Sequence, residues 1–292
     1  MKNIISISIT FFLCSIVYSQ KQPETIRKVY INLETYNKTY DRPLTKRDTL
    51  NFLFKDNDTL VLIENQNYKR KIGVAVPYEY KDSTFLHYYK KIAFNHPKDS
   101  VNKNTTMKYW KDDIRIFFSK SVSKKTRKDL MSFAKTIDKA VDSLSISEVK
   151  KVEDSNYVIY YFGDYDYEAK LSNIKNSSDY SWWNHNKLYR HSIKLDTKKY
   201  FSEQLIQYKL RDYFIKSLGY FNLIKDFDCE SYFSDCYSAN KKLTELDIEL
   251  LKYHYSYGIC KGTSLETFEE QHKKAKEILS NDGHSLIFIH ED

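Results

Sequence analysis

The amino-acid sequence predicts an α+β fold: a mixed sheet with a crossover helix, a central helix and C-terminal helices, preceded by a small β-rich region. Three patterns carry this expectation. Short apolar runs dominate up to Phe94, an amphipathic helical stretch lies between two apolar strands from Ile114 to Phe162, and capped helical segments close the chain.

The N-terminus comes first. Lys2 precedes an apolar stretch from Ile4 to Val17, and Val17-Tyr18-Ser19 offers residues that a signal peptidase accepts. A signal peptide over residues 1–19 is expected, with cleavage between Ser19 and Gln20 and a secreted or periplasmic product of 273 residues. That length suits one large domain or two modest ones. The apolar stretch is shorter than the roughly 20 residues needed to cross a bilayer, and no later segment comes closer, so no transmembrane segment is expected. Lipid attachment at Cys14 is disfavoured by Leu13, where such a site needs a small side chain.

The formal charge of the whole chain is +8, spread along its length. A diffuse excess argues against a nucleic-acid partner and suits either solubility or weak attraction to anionic cell-surface polymers, a cell-envelope protein or glycan. The 26 tyrosines accompany an abundance of Lys, Asn and Ile typical of AT-rich codons, so they do not by themselves mark a sugar-binding surface. After processing, Cys229, Cys236 and Cys260 remain. Three thiols allow three single bridges; in an oxidising compartment the close pair Cys229 and Cys236 can staple its loop and leave Cys260 buried and free, and the spacing does not choose among the three. A Cys-x-x-Cys knuckle, the usual sign of structural zinc, is absent.

Along the chain, Val29, Ile31 and Leu33 alternate with polar residues, and Leu60 to Ile63 and Ile72 to Val76 are compact apolar runs. Residues 95–106 are polar, contain Pro97 and lack periodicity, which predicts a boundary near residue 105 between a β-rich region (20–105) and an α+β domain (106–292). In the latter, Ile114 to Phe118 reads as a strand. Ser123 then precedes Leu130, Phe133, Ala134, Ile137, Val141 and Leu144 at helical spacing, and Tyr157 to Phe162 forms the next strand. Ser192 to Asp196 is a further strand. Ser202 caps a central helix carrying Ile206, Leu210, Tyr213, Phe214 and Leu218, with Gly219 expected as its left-handed stop. Thr244 and Asp247 form a capping box for a helix reaching Tyr257. Thr263 with Glu266 opens another to about Leu279, before an apolar run from Leu286 to Ile289.

Several stretches carry a more specific likeness: Lys216-Ser217-Leu218-Gly219, Ser231-Tyr232-Phe233, the capped run from Leu243 to Leu251, and Tyr255 to Gly262. Together they resemble a bacterial exported domain family of unknown function that is itself similar to the zincin (metzincin-like) metalloprotease fold. The likeness covers roughly Trp110 to Phe268, and its last third is the specific part. The order of elements, strand, helix, strand, strand, helix ending in Leu-Gly, loop and capped helix, is that of zincins.

The resemblance implies a zinc site on the central helix, with two histidines at i and i+4 and a glutamate beside the first. Alignment on Gly219 puts Asp212 at the first ligand, Tyr213 at the base, Lys216 at the second ligand and Asn222 at the third. None can serve as a set, and the helix holds no histidine. A lysine at the second position places an ammonium where the metal would sit, and Asp212 with Lys216 makes an i,i+4 ion pair. The resemblance therefore implies a catalytically degenerate domain that binds rather than cleaves and carries no zinc.

The residues themselves offer other chemistries. His185, His191 and His254 are the candidate ligands of a replacement zinc site, which would make the chain a zinc-dependent hydrolase. Against this, His254 lies one turn after Leu250, where a histidine usually packs against a backbone carbonyl. No Gly-x-Ser-x-Gly elbow or phosphate loop is present. The acidic run Asp164 to Glu168 lacks the glycine and distal glutamate of an EF-hand and reads as a solvated loop. Trp182 and Trp183 are a candidate ligand platform, but neighbours on a strand point to opposite faces, so at most one ring serves; the competing reading packs one in the core. A third class, an envelope assembly or structural factor, would show a large apolar surface patch.

Overall fold

The computed structural model describes residues 29–40, 42–55, 58–63, 74–94, 105–238, 240–280 and 287–290. The predicted signal peptide, Cys14 and most of the polar stretch after Phe94 lie outside them. The chain divides into two compact units, residues 1–70 and 71–292, described separately.

In the first unit, β1 (Val29–Asn32) leads directly into α1 (Leu33–Thr39), followed by α2 (Lys46–Leu50), β2 (Leu53–Lys55) and β3 (Asp58–Ile63). The strands form an antiparallel sheet in the order β1-β3-β2. Leu33 therefore opens a helix rather than continuing a strand, because the Asn32 side chain accepts from the Thr35 amide and caps it.

The second unit begins with β4 (Val74–Pro77) and α3 (Ser83–Phe94), then β5 (Tyr109–Trp110), β6 (Ile114–Phe118), α4 (Lys124–Ala140), β7 (Ile146–Val149) and β8 (Tyr157–Tyr161). It continues with β9 (Ser178–Asn184), β10 (Lys187–Leu195), α5 (Glu203–Ser217), α6 (Glu245–Tyr255), α7 (Leu265–Leu279) and β11 (Ile287–His290). The units divide at residue 70, not near 105, because α3 belongs to the larger core. Asp82 accepts from the Thr84 and Phe85 amides at its start. Phe85 and Tyr89 then meet Tyr253 of α6 edge-on at 5.2 and 4.8 Å. Among the described residues the region up to Phe94 is thus not simply β-rich: three helices accompany its strands.

The main sheet is parallel apart from one strand. β7, β6, β8 and β10 lie side by side, short β5 runs along the start of β10, and β9 pairs antiparallel with β10 as the edge. Helix α4 connects β6 to β7, a strand the sequence pattern does not reveal. All five residues of β8 are buried, as expected of a central parallel strand covered on both faces. On one face Tyr157, Ile159, Ile193 and Leu195 join the core shared with α4, α5 and α6. On the other, the segment after β8 closes over the sheet: Tyr167 packs edge-on against Tyr160, and Lys194 Nζ bonds to Asp166 Oδ1.

The end of α5 is pinned from three directions. Trp110 Nε1 donates to Ser217 O at 2.9 Å, the Tyr255 hydroxyl donates to Leu218 O, and Phe221 N donates to Lys216 O at 2.8 Å, so the last carbonyls are satisfied. The left-handed residue is Tyr220 (φ 53°), one position later than expected. Gly219 is required for a different reason: a Cβ there would lie 2.3 Å from the Phe221 ring.

The loop after α5 is held by the Cys229–Cys236 disulfide, while Cys260 is free. The Thr244–Asp247 capping box forms as predicted, whereas the cap of α7 is Ser264 rather than Thr263. Asp247 is fully buried and does more than cap α6: its carboxylate also accepts from the Ser231 hydroxyl and from Tyr232 N at 3.0 Å. Replacing Asp247 with Ala removes three hydrogen bonds to one buried carboxylate and leaves their donors unmet. We expect a loss of about 3 kcal/mol in urea unfolding, with the loop carrying Tyr232 the first segment to lose amide-exchange protection.

Candidate functional site

The hairpin β9–β10 turns through His185 and Asn186, both with positive φ (46° and 66°), the pattern of a two-residue type I′ turn. Asn186 anchors it: its Oδ1 accepts from Thr106 Oγ1 at 2.6 Å and Lys108 Nζ at 2.8 Å, and its Nδ2 donates to Gly262 O at 2.8 Å. Cross-strand pairing sets Ser181 opposite His191 and Asp179 opposite Ile193. Strand alternation then puts Asp179, Ser181 and Trp183 on one face and Tyr180 and Trp182 on the other.

The C-terminal turn of α5 and the Tyr220 bend sit against the first face. Between them lies a pocket of about 270 Å³ lined by Asp179, Ser181, Trp183, Lys216, Tyr220 and Phe221, among others. Its polar groups form a line. Lys216 Nζ stands 3.6 Å from Asp179 Oδ1, Asp179 Oδ2 stands 3.9 Å from His191 Nε2, and His191 Nδ1 is 2.8 Å from Ser181 Oγ. His191 is fully buried, and its Nε2 has no hydrogen-bond partner among the described residues. Burial pushes its pKa down to about 4, with Asp179 opposing and Lys216 reinforcing the shift. The ring is therefore neutral at pH 7. The tautomer in which Ser181 donates to Nδ1 turns the Nε2 hydrogen toward the Asp179 carboxylate, whose charge favours it.

The four positions aligned with a metal site behave differently from one another. Lys216 faces the pocket. Asp212 turns away to Lys241 Nζ at 3.4 Å, so the i,i+4 pair expected between Asp212 and Lys216 is replaced by two separate pairs. Tyr213 is buried, with Lys209 and Lys216 over its ring at 4.6 and 5.5 Å, and burial raises its hydroxyl pKa. Asn222 donates its backbone N–H to Ile92 O of α3 at 2.9 Å.

The three candidate histidines take unrelated roles. His185 is exposed on the hairpin turn, His191 lies under the pocket, and His254 is buried between the Tyr89 hydroxyl (Nδ1, 3.1 Å) and Lys108 O (Nε2, 2.9 Å). Among the described residues no group of three or more His, Cys, Asp or Glu could hold a metal ion. Asp164 accepts from Ser119, Ser121 and Tyr161 N, which makes it a loop brace.

Of the two tryptophans, Trp182 donates from Nε1 to Glu168 Oε2 at 2.9 Å and packs edge-on against Tyr180. Trp183 is 41 % exposed at the pocket rim, with Tyr220 at 5.0 Å and Lys108 Nζ 5.3 Å from its ring. Neither ring fills the core. Asp179, Ser181 and Tyr220 were not singled out by sequence; the available signal was the i, i+2, i+4 alternation of Asp179, Ser181 and Trp183 across from a histidine.

No protein-family model matches the chain, and no curated protein matches it significantly in sequence. The functional reading accordingly rests on the geometry of this pocket.

A pH dependence follows from His191. Its pKa in the folded state lies below the ordinary 6.5, so the unfolded chain binds more protons between pH 6.5 and about 4. The stability due to the neutral ring is complete above pH 6.5 and is lost as pH falls through that window, by up to roughly 3 kcal/mol. Urea unfolding at pH 7 and pH 4.5 should show this loss in the wild type, and a His191→Gln variant should lose less.

Proposed function

We propose that this protein is an exported, zincin-like domain whose catalytic centre is degenerate and which acts by binding ligands in the pocket between β9 and α5. The observation that carries the reading is Lys216. At the position that the zincin resemblance assigns to the second metal ligand, an ammonium enters the pocket and pairs with Asp179. A divalent cation there would face a fixed positive charge instead of a lone pair.

The succession β6, α4, β7, β8, β9, β10, α5 ending at Leu218-Gly219, an irregular loop and capped α6 contains, with two further strands β7 and β9, the order of elements on which the zincin-like reading rests. The Cys229–Cys236 bridge is compatible with an oxidising compartment, and among the described residues no helix is long and apolar enough to cross a membrane.

Elemental analysis of the mature protein, purified without chelators, tests this. The expected result is far less than one zinc per chain, unchanged in a His185→Ala/His191→Ala/His254→Ala variant. Near-stoichiometric zinc in the wild type that disappears in the variant would overturn the reading and make the chain a zinc hydrolase.

A further inference from the structure

The pocket holds opposite charges that the protein leaves unsaturated. Among the described residues no donor reaches the Asp179 carboxylate within hydrogen-bond distance: Lys216 Nζ at 3.6 Å and His191 Nε2 at 3.9 Å both stop short. Side-chain exposure is only 18 % for Asp179 and 28 % for Lys216, so water has limited access to either. The Nε2 of His191, buried and unpartnered, is a further polar group on the same side. Both contacts are longer than a hydrogen bond, so the carboxylate and the ammonium each keep hydrogen-bonding capacity for a further group in the pocket.

The sign and spacing of the charges select what fits. A ligand of one sign, such as phosphate, a simple carboxylate or a metal ion, attracts one member of the Asp179–Lys216 pair and repels the other. A neutral ligand offers neither charge a counter-charge. In an α-amino acid the ammonium and carboxylate share one carbon, and standard bond lengths put the nitrogen about 3 Å from a carboxylate oxygen. That separation resembles the 3.6 Å between Lys216 and Asp179. Laid head to tail against the pair, the four charges alternate around a square and each meets two of opposite sign. Beside them Trp183 and Tyr220, with ring centres 5.0 Å apart, and Phe221 form an apolar wall. A cavity of about 270 Å³ leaves room there for a side chain of leucine or phenylalanine size.

From this we infer that the pocket is a binding site for a free α-amino acid with an apolar side chain. Asp179 holds the ammonium, Lys216 holds the carboxylate, and Trp183 and Tyr220 receive the side chain. The inference rests on the reading of the chain as a binding domain and specifies its ligand class.

Isothermal titration calorimetry of the full mature chain tests it, with L-leucine and L-phenylalanine as ligands and N-acetyl-L-phenylalanine and L-phenylalaninamide as blocked controls. Saturable binding is expected for at least one free amino acid, weakened about tenfold or more when either charge is blocked. Asp179→Asn and Lys216→Met should each bring a similar loss with an unchanged far-UV circular dichroism spectrum. If either variant misfolds, the blocked ligands on the wild type decide the matter alone. No heat from either amino acid up to about 10 mM, or blocked ligands that bind as tightly as free ones, would overturn the assignment. Zinc content separates the two levels: a zinc-free protein that binds no amino acid loses only this ligand class, whereas stoichiometric zinc removes the binding reading itself.

Discussion

The pairing of β10 with three strands at once is the constraint on which the rest of the larger unit depends. Its first residues run parallel to β5, its last five run parallel to β8, and nearly its whole length pairs with antiparallel β9. Because strand register fixes which side chains share a face, a slip of one residue between β9 and β10 would send Asp179, Ser181 and Trp183 away from α5. The anchored turn at Asn186 resists such a slip, since its side chain bonds to Thr106, Lys108 and Gly262. The pocket is therefore a product of sheet register before it is a product of helix packing.

The electrostatics of the pocket follow from that placement. Sheet register brings an acid and a buried imidazole to one wall, and α5 brings a lysine to the other. A lysine and an aspartate kept partly from water carry a desolvation cost that their attraction offsets fully only at short range with good hydrogen bonds. Here the contacts are long, so the arrangement gives little stability in return. Such a set is a weak structural fastener, in contrast with the buried Asp247, whose carboxylate is saturated by donors on its own helix cap and the neighbouring loop.

Much of the second unit was legible because its signals are local. The Ser123, Ser202 and Thr244 caps each govern the amides of the following turn, the run at Ile114 shows the buried-exposed alternation of a strand, and the run at Tyr157 is apolar throughout. What escaped was non-local. Helix α3 reads as a continuation of a strand-rich stretch until Tyr253 and Phe268 are seen to complete its buried face. Strand β7 is four residues with two exposed, too short for periodicity to register. The candidate site shows the same division. Lys216 was found from its place in a helix motif, whereas Asp179 became meaningful only when the hairpin folded it back toward that helix. Gly219 shows how a residue can be correctly marked for the wrong cause: it serves the close approach of Phe221, and the left-handed backbone falls to Tyr220.

That last arrangement has a consequence for the rim of the pocket. A non-glycine residue in the left-handed region costs roughly 1–2 kcal/mol, and the fold sustains it at Tyr220, whose ring lies against Trp183. On either side the backbone is clamped, by Phe221 N on Lys216 O and by Asn222 N on Ile92 O. The rim is thus preorganised: its shape is settled during folding, and little conformational entropy remains to be surrendered on association. Any molecule entering it would be selected by shape, because such a rim does not remould around what it meets.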